Sequence, residues 1–437
     1  MTEPLRRDIA PEIRDFERFR FPMPETLTSD NGIRVYVIPG EKQEVTRTDV
    51  IFMHGSYDQR LKLQASATAS AMCEATTGRT SAKVSEFLDF YGGWLQKSVS
   101  YHYTIFTLYA PNSSFGKLLP LFMELITSPR FGKKDLSLYK VKGKEEFKVK
   151  EERVDFMADR KFREVLFGSH PYGLTASATD FGGLDTDSLK EYHRDYYAAD
   201  SCSVVFSGCI GDAMTALLLN GLCSIKTGGD AASKAKEVPD DSGKERFSHV
   251  KKGGALQCAV RMGGTVINRD NPDYMQLTVL NTVLGGYFGS RLMKNIREEK
   301  GYTYGINSWV MGLRDAAYIS ISSQSAVDFT GPLIKEVFNE IDNLRNEKIS
   351  GSELKTVKGY MQGELARTFD NRFTMADALV TMIINMVPMD YFDRKADAVN
   401  NASPETLLEI ARKYLRPEEM FTVVAGGDGN EGMFKII

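Results

Sequence analysis

The chain has 437 residues, enough for two or three domains that each bury a core. Its 55 Lys and Arg against 58 Asp and Glu give a net charge of −3, with no basic block at either end, so nucleic acid is excluded as an expected partner: a grip on a phosphate backbone needs concentrated positive charge. No apolar stretch approaches the roughly 18–20 residues of a membrane span, and no membrane contact is expected.

The first residues, MTEPLRRDIAPEIRDFERFRFPMPE, lack the continuous apolar run of a secretory signal, so a cytoplasmic location is expected if Met1 is the native start. Asp49–Met53, Tyr101–Tyr109 and Ala317–Ser323 cluster or alternate β-branched and aromatic residues as half-buried strands do. In Pro332–Arg345 the residues Ile334, Val337, Phe338, Ile341 and Leu344 share one helical face. Ser350-x-x-Glu353 predicts a capping box for a helix carrying Leu354, Val357, Met361 and Leu365, and both apolar faces are expected to pack on sheets. Cys73, Cys202, Cys209, Cys223 and Cys258 are scattered, with no C-x-x-C pair. They predict neither a disulfide frame nor a thiolate zinc site, and are expected to be buried, reduced thiols.

Between Lys226 and Arg246 the composition is Gly, Ala, Ser, Lys and Asp with almost no large apolar side chain, which is that of a linker. The two sides of it resemble each other. Ser188–Gly208 aligns without gaps on Thr406–Gly426, matching Leu189/Leu407, Glu191/Glu409, Arg194/Arg412, Tyr196/Tyr414, Val205/Val423 and Gly208/Gly426. Each half therefore closes with the same helix, turn and strand. The expected fold class is α+β, an internal duplication with an N-terminal domain at 1–225, a linker at 226–246 and a C-terminal domain at 247–437.

Histidines His54, His102, His170, His193 and His249 form no pair at metal-ligand spacing, so no local zinc helix is expected. His102, in an alternating strand, and His170, in the turn-like HPYG, read as satisfied structural residues. No G-x-S-x-G elbow or P-loop occurs, and the Gly-rich LGGYFGSRL at Leu284–Leu292 lacks the spacing of a phosphate cradle.

That element continues into Leu284–Ser308, LGGYFGSRLMKNIREEKGYTYGINS, which resembles the second-domain signature of the pitrilysin/insulinase family of inverted-motif zinc metallopeptidases. Arg79–Gly93 (RTSAKVSEFLDFYGG) is similar to the helix that follows the family's zinc motif, Ser128–Phe131 (SPRF) to the start of its long helix, and His170–Gly173 to its HPYG turn. The resemblance implies two homologous metallopeptidase-like α/β sandwich domains. It also implies a zinc motif H-x-x-E-H, whose place here is taken by Ser66-Ala67-Thr68-Ala69-Ser70. Both ligand positions, Ser66 and Ser70, and the base position, Ala69, have lost their chemistry; the downstream ligand position alone keeps a carboxylate, Glu146. One carboxylate does not make a catalytic zinc site, which takes three protein ligands and a water. In its Lys/Glu-rich stretch Glu146 reads as a solvated or locally paired side chain. No cofactor is expected in this chain.

The signature also implies a substrate-binding Arg and Tyr seven residues apart, which fall on Arg297 and Tyr304. A guanidinium donates to peptide carbonyls and a phenol donates to the oxyanion of an attacked carbonyl. Taken without the resemblance, Arg297 is a charge on an exposed helix and Tyr304 a core aromatic. The asymmetry implies the non-zinc subunit of a heterodimeric peptidase, with zinc and base in an H-x-x-E-H partner and peptides as substrates. The alternative is an inactive binding or scaffold protein that keeps the fold. A homodimer is equally open at this stage.

Overall fold

The computed structural model of the chain describes residues 20–40, 44–228, 235–238, 245–429 and 434; the N-terminal segment before Arg20 and much of the stretch read as a linker lie outside them. The first half runs β1 (Glu25–Thr28), β2 (Arg34–Pro39), β3 (Val45–Phe52), α1 (Gln64–Met72), α2 (Ser81–Tyr91), β4 (Trp94–Val99), β5 (Thr104–Pro111), α3 (Phe115–Thr127), α4 (Lys133–Glu151), α5 (Val154–Phe167), α6 (Thr186–Tyr196), β6 (Cys202–Gly208) and α7 (Asp212–Leu222). The second runs β7 (Phe247–Val250), β8 (Gln257–Val266), α8 (Tyr274–Asn281), β9 (Thr303–Gly312), β10 (Ala317–Ala326), α9 (Val327–Asn346), α10 (Gly351–Arg367), α11 (Arg372–Ile384), α12 (Tyr391–Asn401), α13 (Pro404–Tyr414) and β11 (Phe421–Ala425).

The strand order is β1-β2-β6-β3-β5-β4 in one sheet and β7-β11-β8-β10-β9 in the other. Apart from β1 the two orders superimpose. In each sheet the last strand of the half, β6 or β11, slots in parallel to the first of its pair and antiparallel to the next. The aligned repeat accounts for this: α6 and α13 each lead through a short 3-10 turn into β6 and β11. Both strands run into an aligned glycine of nearly equal conformation, Gly208 at φ 118° and Gly426 at φ 117°. A Cβ there would meet the carbonyl oxygen of Val45 at 2.3 Å or of Gln257 at 2.5 Å, so backbone contact and positive φ both require glycine.

Strand alternation divides each core in two. In the first sheet Val35, Val37, Val50, Phe52, Val204 and Phe206 face the helices of their own half. Tyr36, Ile38, Ile51 and Val205, one residue out of step, face Met375, Ala376, Leu379 and Met382 of α11, from the second half. The second sheet does the reverse. Val260, Met262, Ile319 and Ile321 face α8, α9 and α13, whereas Phe421 and Val423 pack on Phe162, Leu166 and Phe167 of α5, from the first half. Each half thus lends one helix to the other's sheet. Ion pairs from buried arginines to partly exposed carboxylates bridge the exchange: Arg47 on β3 reaches Asp377 of α11 at 2.6 Å, and Arg261 on β8 reaches Asp159 of α5 at 2.6 Å.

Several local expectations change in detail. The strand expected from Tyr101 begins at Thr104, so His102 lies in the β4–β5 turn, buried by its aromatic neighbours. Ser350 caps α10 by accepting from the Glu353 N–H at 3.1 Å, but the box stays half made, because the Glu353 carboxylate takes a bidentate pair from Arg291 at 2.8 and 2.9 Å. While α9 packs on β8 and β10 as expected, α10 packs on α12. All five cysteines are free; Cys202 and Cys258 are buried, but Cys223 is exposed at the end of α7, where no sheet covers it.

Candidate functional site

The remnant of the zinc motif lies on α1. This helix is built from small residues, and Ala65, Ala67, Thr68, Ala69 and Met72 are buried. Ala69, at the base position, is wholly enclosed in the core with Phe52, Phe106 and Tyr192. Ser66 and Ser70, one turn apart, are half-buried and open into different cavities.

Ser70 borders a cavity of about 610 Å³ whose opposite wall is α4, with Tyr139, Lys142 and Glu146. Glu146 is exposed and forms no hydrogen bond or ion pair among the described residues. The structure therefore brings two of the three ligand positions, Ser70 and Glu146, to one cavity and leaves the third, Ser66, at another. Their donor set does not fit zinc: two hydroxyls and one carboxylate offer no neutral imidazole or thiolate, and the base position is an alanine in the core. No step through a metal is derivable from these residues.

Ser66 opens the second cavity, of about 510 Å³, between α1, the β4–β5 turn and α5. Behind it sits a polar cluster joining the two halves. The Tyr57 hydroxyl donates to Asp315 of the β9–β10 turn, and the Asp315 N–H donates to the Tyr172 hydroxyl at 3.1 Å. His102 Nε2 lies 2.6 Å from that same hydroxyl. Burial, together with the Arg314 guanidinium, lowers the His102 imidazole to about 4, and burial with the Asp315 contact raises the Tyr57 phenol to about 12. His102 and His170 are thus neutral, packed histidines of this cluster.

Arg297 and Tyr304 lie on the second half, apart from α1. The chain leading to them leaves α-helical geometry: 282–286 and 293–299 are wide π-type turns that bury Leu284, Met293 and Ile296. Lys300 N–H closes onto the Asn295 carbonyl at 3.0 Å, and Gly301, at φ 65°, turns the chain into β9. This geometry sets the Arg297 Nε–H on the main-chain oxygen of Tyr304 at 3.1 Å. The guanidinium stacks over Phe288, 4.8 Å from the ring centre. Tyr304 is 93% exposed and Phe288 62%, so Tyr304 is not the core aromatic that composition alone suggests. No hydrogen bond or ion pair joins Arg297 or Tyr304 to Ser66, Ser70 or Glu146 among the described residues. Phe288 escaped the sequence reading, although an aromatic held between Gly286 and Gly289 was its signal.

Residues 183–361 match the family model of the peptidase M16 inactive domain. The chain is M16-like. The matched stretch contains Leu284–Ser308, so the resemblance to inverted-motif metallopeptidases is borne out, as that of a non-catalytic member. A relative from Bacillus subtilis (strain 168), "Uncharacterized zinc protease YmxG", is 22% identical over 68% of this chain and 72% of its own length. A "Non-peptidase homolog YmxG" from Helicobacter pylori is 27% identical over 42% of each chain. The crystal structure of a peptidase M16 inactive domain from Pseudomonas fluorescens, 21% identical, superimposes with a TM-score of 0.85 over 93% of this chain and 98% of that one. The M16-like fold, with its two related α+β halves, follows. No helix among the described residues is long and apolar enough to cross a membrane.

Proposed function

We propose that this M16-like chain, with peptidase-like halves at 1–225 and 247–437, is the non-zinc subunit of a two-chain metallopeptidase. The observation that carries the reading is the contrast between the two segments: α1 holds no metal-binding or basic group, while the Tyr304 side chain stands on the surface and the half-buried Arg297 guanidinium is anchored beside it through Nε. A homologous partner bearing H-x-x-E-H holds the zinc and the base. Across the shared cleft Arg297, anchored through Nε on Tyr304 and 3.9 Å from Glu298 through Nη1, donates from its remaining N–H groups to peptide carbonyls, and the Tyr304 hydroxyl donates to the oxygen that gains charge during attack. Fixed donors of this kind need no reorganisation in the transition state, so a chain without a nucleophile can still be required for turnover. The open edge of β4, paired on one side alone with β5, offers main-chain groups to an extended peptide.

The test begins with an affinity pull-down of the tagged chain from its native cells, with partners identified by mass spectrometry. An H-x-x-E-H chain at about one-to-one ratio is the expected result. In the reconstituted pair, Arg297→Ala and Tyr304→Phe should each lower kcat roughly 100-fold; unchanged turnover overturns the assigned roles. The relative named a non-peptidase homologue favours a second reading, a binding or scaffold protein. Recovery of the chain without any H-x-x-E-H protein would establish that reading instead.

A further inference from the structure

The cavity at Ser66 has an electrostatic character that a vacated zinc site does not account for. Its wall carries Arg60, Lys62, Arg160, Arg163 and Lys236, and among the described residues no carboxylate lines it. Three of these cations have acidic partners set outside the lining: Arg60 pairs with Glu191, Lys62 lies 3.8 Å from Asp180, and Arg160 lies 3.0 Å from Glu151. The other two are held by neutral groups. Arg163 donates to the Tyr101 hydroxyl at 3.2 Å, and the Lys236 ammonium lies 4.5 Å from the centre of the Tyr57 ring and donates to the Tyr57 carbonyl at 3.2 Å. Neither meets a carboxylate within 4.0 Å among the described residues. Among the described residues, at least two positive charges therefore face the cavity uncompensated. Tyr57 is itself fixed by Asp315, so the wall is set before any ligand arrives, which lowers the entropy lost on binding.

Between the cations the lining is apolar, with Phe147, Phe156 and Leu174, and the volume of about 510 Å³ is that of a pocket for an organic ligand. A bare inorganic anion would use neither the aromatic wall nor that volume. We infer that this cavity binds a carboxylate-bearing peptide segment, its acidic side chains on Arg163 and Lys236 and its apolar parts against the phenylalanines, so that the chain selects acidic peptides. The inference rests on the reading that this chain handles peptides, but not on the roles of Arg297 and Tyr304. An arginine fork takes a carboxylate through two parallel hydrogen bonds, and a partly desolvated wall strengthens the pairing.

The test is fluorescence anisotropy on the full chain alone, with a labelled glutamate-rich peptide, its glutamine counterpart and its lysine counterpart. The glutamate peptide should bind at least about tenfold more tightly than the glutamine one, the lysine peptide should not bind, and the preference should weaken in high salt. Arg163→Gln and Lys236→Gln, which each remove one of the two uncompensated charges, should each weaken glutamate-peptide binding about tenfold. Equal affinity for the glutamate and glutamine peptides overturns the inference, as does binding unaltered in both variants. Inorganic phosphate that displaces the peptide with the affinity of the peptide itself overturns it too, by reducing the cavity to a plain anion site. No zinc partner takes part, so failure here is distinct from failure of the Arg297 and Tyr304 experiment, which reads turnover of a neutral peptide by the pair.

Discussion

Between α1 in the first half and residues 284–308 in the second, the contrast is between a helix absorbed into the core and a segment that holds Phe288 and Tyr304 at the surface. Helix α1 now packs like any core helix of small residues, with Ala69 enclosed where a base would stand. The 284–308 segment has an unusual backbone, two wide turns and a positive-φ glycine, from which Tyr304 projects into solvent beside a half-buried Arg297. Wide helical turns forgo regular hydrogen bonding and persist where function or surrounding packing maintains them. The scaffold around both is the same. What differs between the halves is therefore chemistry laid over a shared frame, and the frame itself can be tested half against half.

The largest difference is expected at the paired arginines. Arg47 serves Asp377 and also Asp49, which is wholly buried and lies 2.8 Å away, so Arg47→Met strands a carboxylate inside the sheet. The loss should be about 3–5 kcal/mol in urea unfolding. Arg261→Met leaves Asp159, which is half exposed and recovers hydration, and should cost about 1–2 kcal/mol. Equal losses would show that the two exchanges are energetically alike.

Next come Gly208→Ala and Gly426→Ala. With φ near 117° and a carbonyl oxygen within 2.5 Å of the added methyl, each should cost about 2–3 kcal/mol, and the two melting temperatures should fall together. A tolerated alanine at either site would break the symmetry of the duplication.

Acid should distinguish the halves. Four of the five histidines lie in the first half, and His102 is held neutral with its folded value near 4 against an ordinary 6.5. Between these values the unfolded chain binds the proton and the folded chain does not. The stability that the neutral ring confers is therefore complete above about pH 6.5 and is lost as pH falls toward 4. Urea midpoints measured across that range should decline more gently in His102→Gln, and a parallel decline would remove His102 from the explanation.

The smallest effects are expected at the caps of the duplicated helices. In α6 Asp185 accepts from the Ser188 N–H at 2.7 Å, and in α13 Ser403 accepts from the Thr406 N–H at 3.1 Å. Alanine at either should cost about 1 kcal/mol, with Asp185 the costlier because its charge also meets the helix dipole.

The duplication was legible in sequence because its markers are local: an amphipathic helix, a turn, a strand and a glycine in fixed register. The helix exchange was not. The run RFTMADALVTMII of α11 is apolar on several faces, which announces burial without saying against which sheet. His102 was placed in a strand because the alternation of YHYTIFTLY runs on through the β4–β5 turn. The motif positions Ser66, Ser70 and Glu146 lie on α1 and α4 and divide between two cavities, and the basic cavity gathers cations from positions 60 to 236, a convergence that no local pattern records.

The exchange of α5 and α11 carries a historical consequence. A half-length ancestor with this helix could have covered the bare face of its sheet by sending the helix across to a second copy, in a two-fold swapped dimer. Fusion of two such copies would turn an association that dilution can undo into one written in a single chain. The two halves were then free to lose or keep their chemistry separately without ever coming apart.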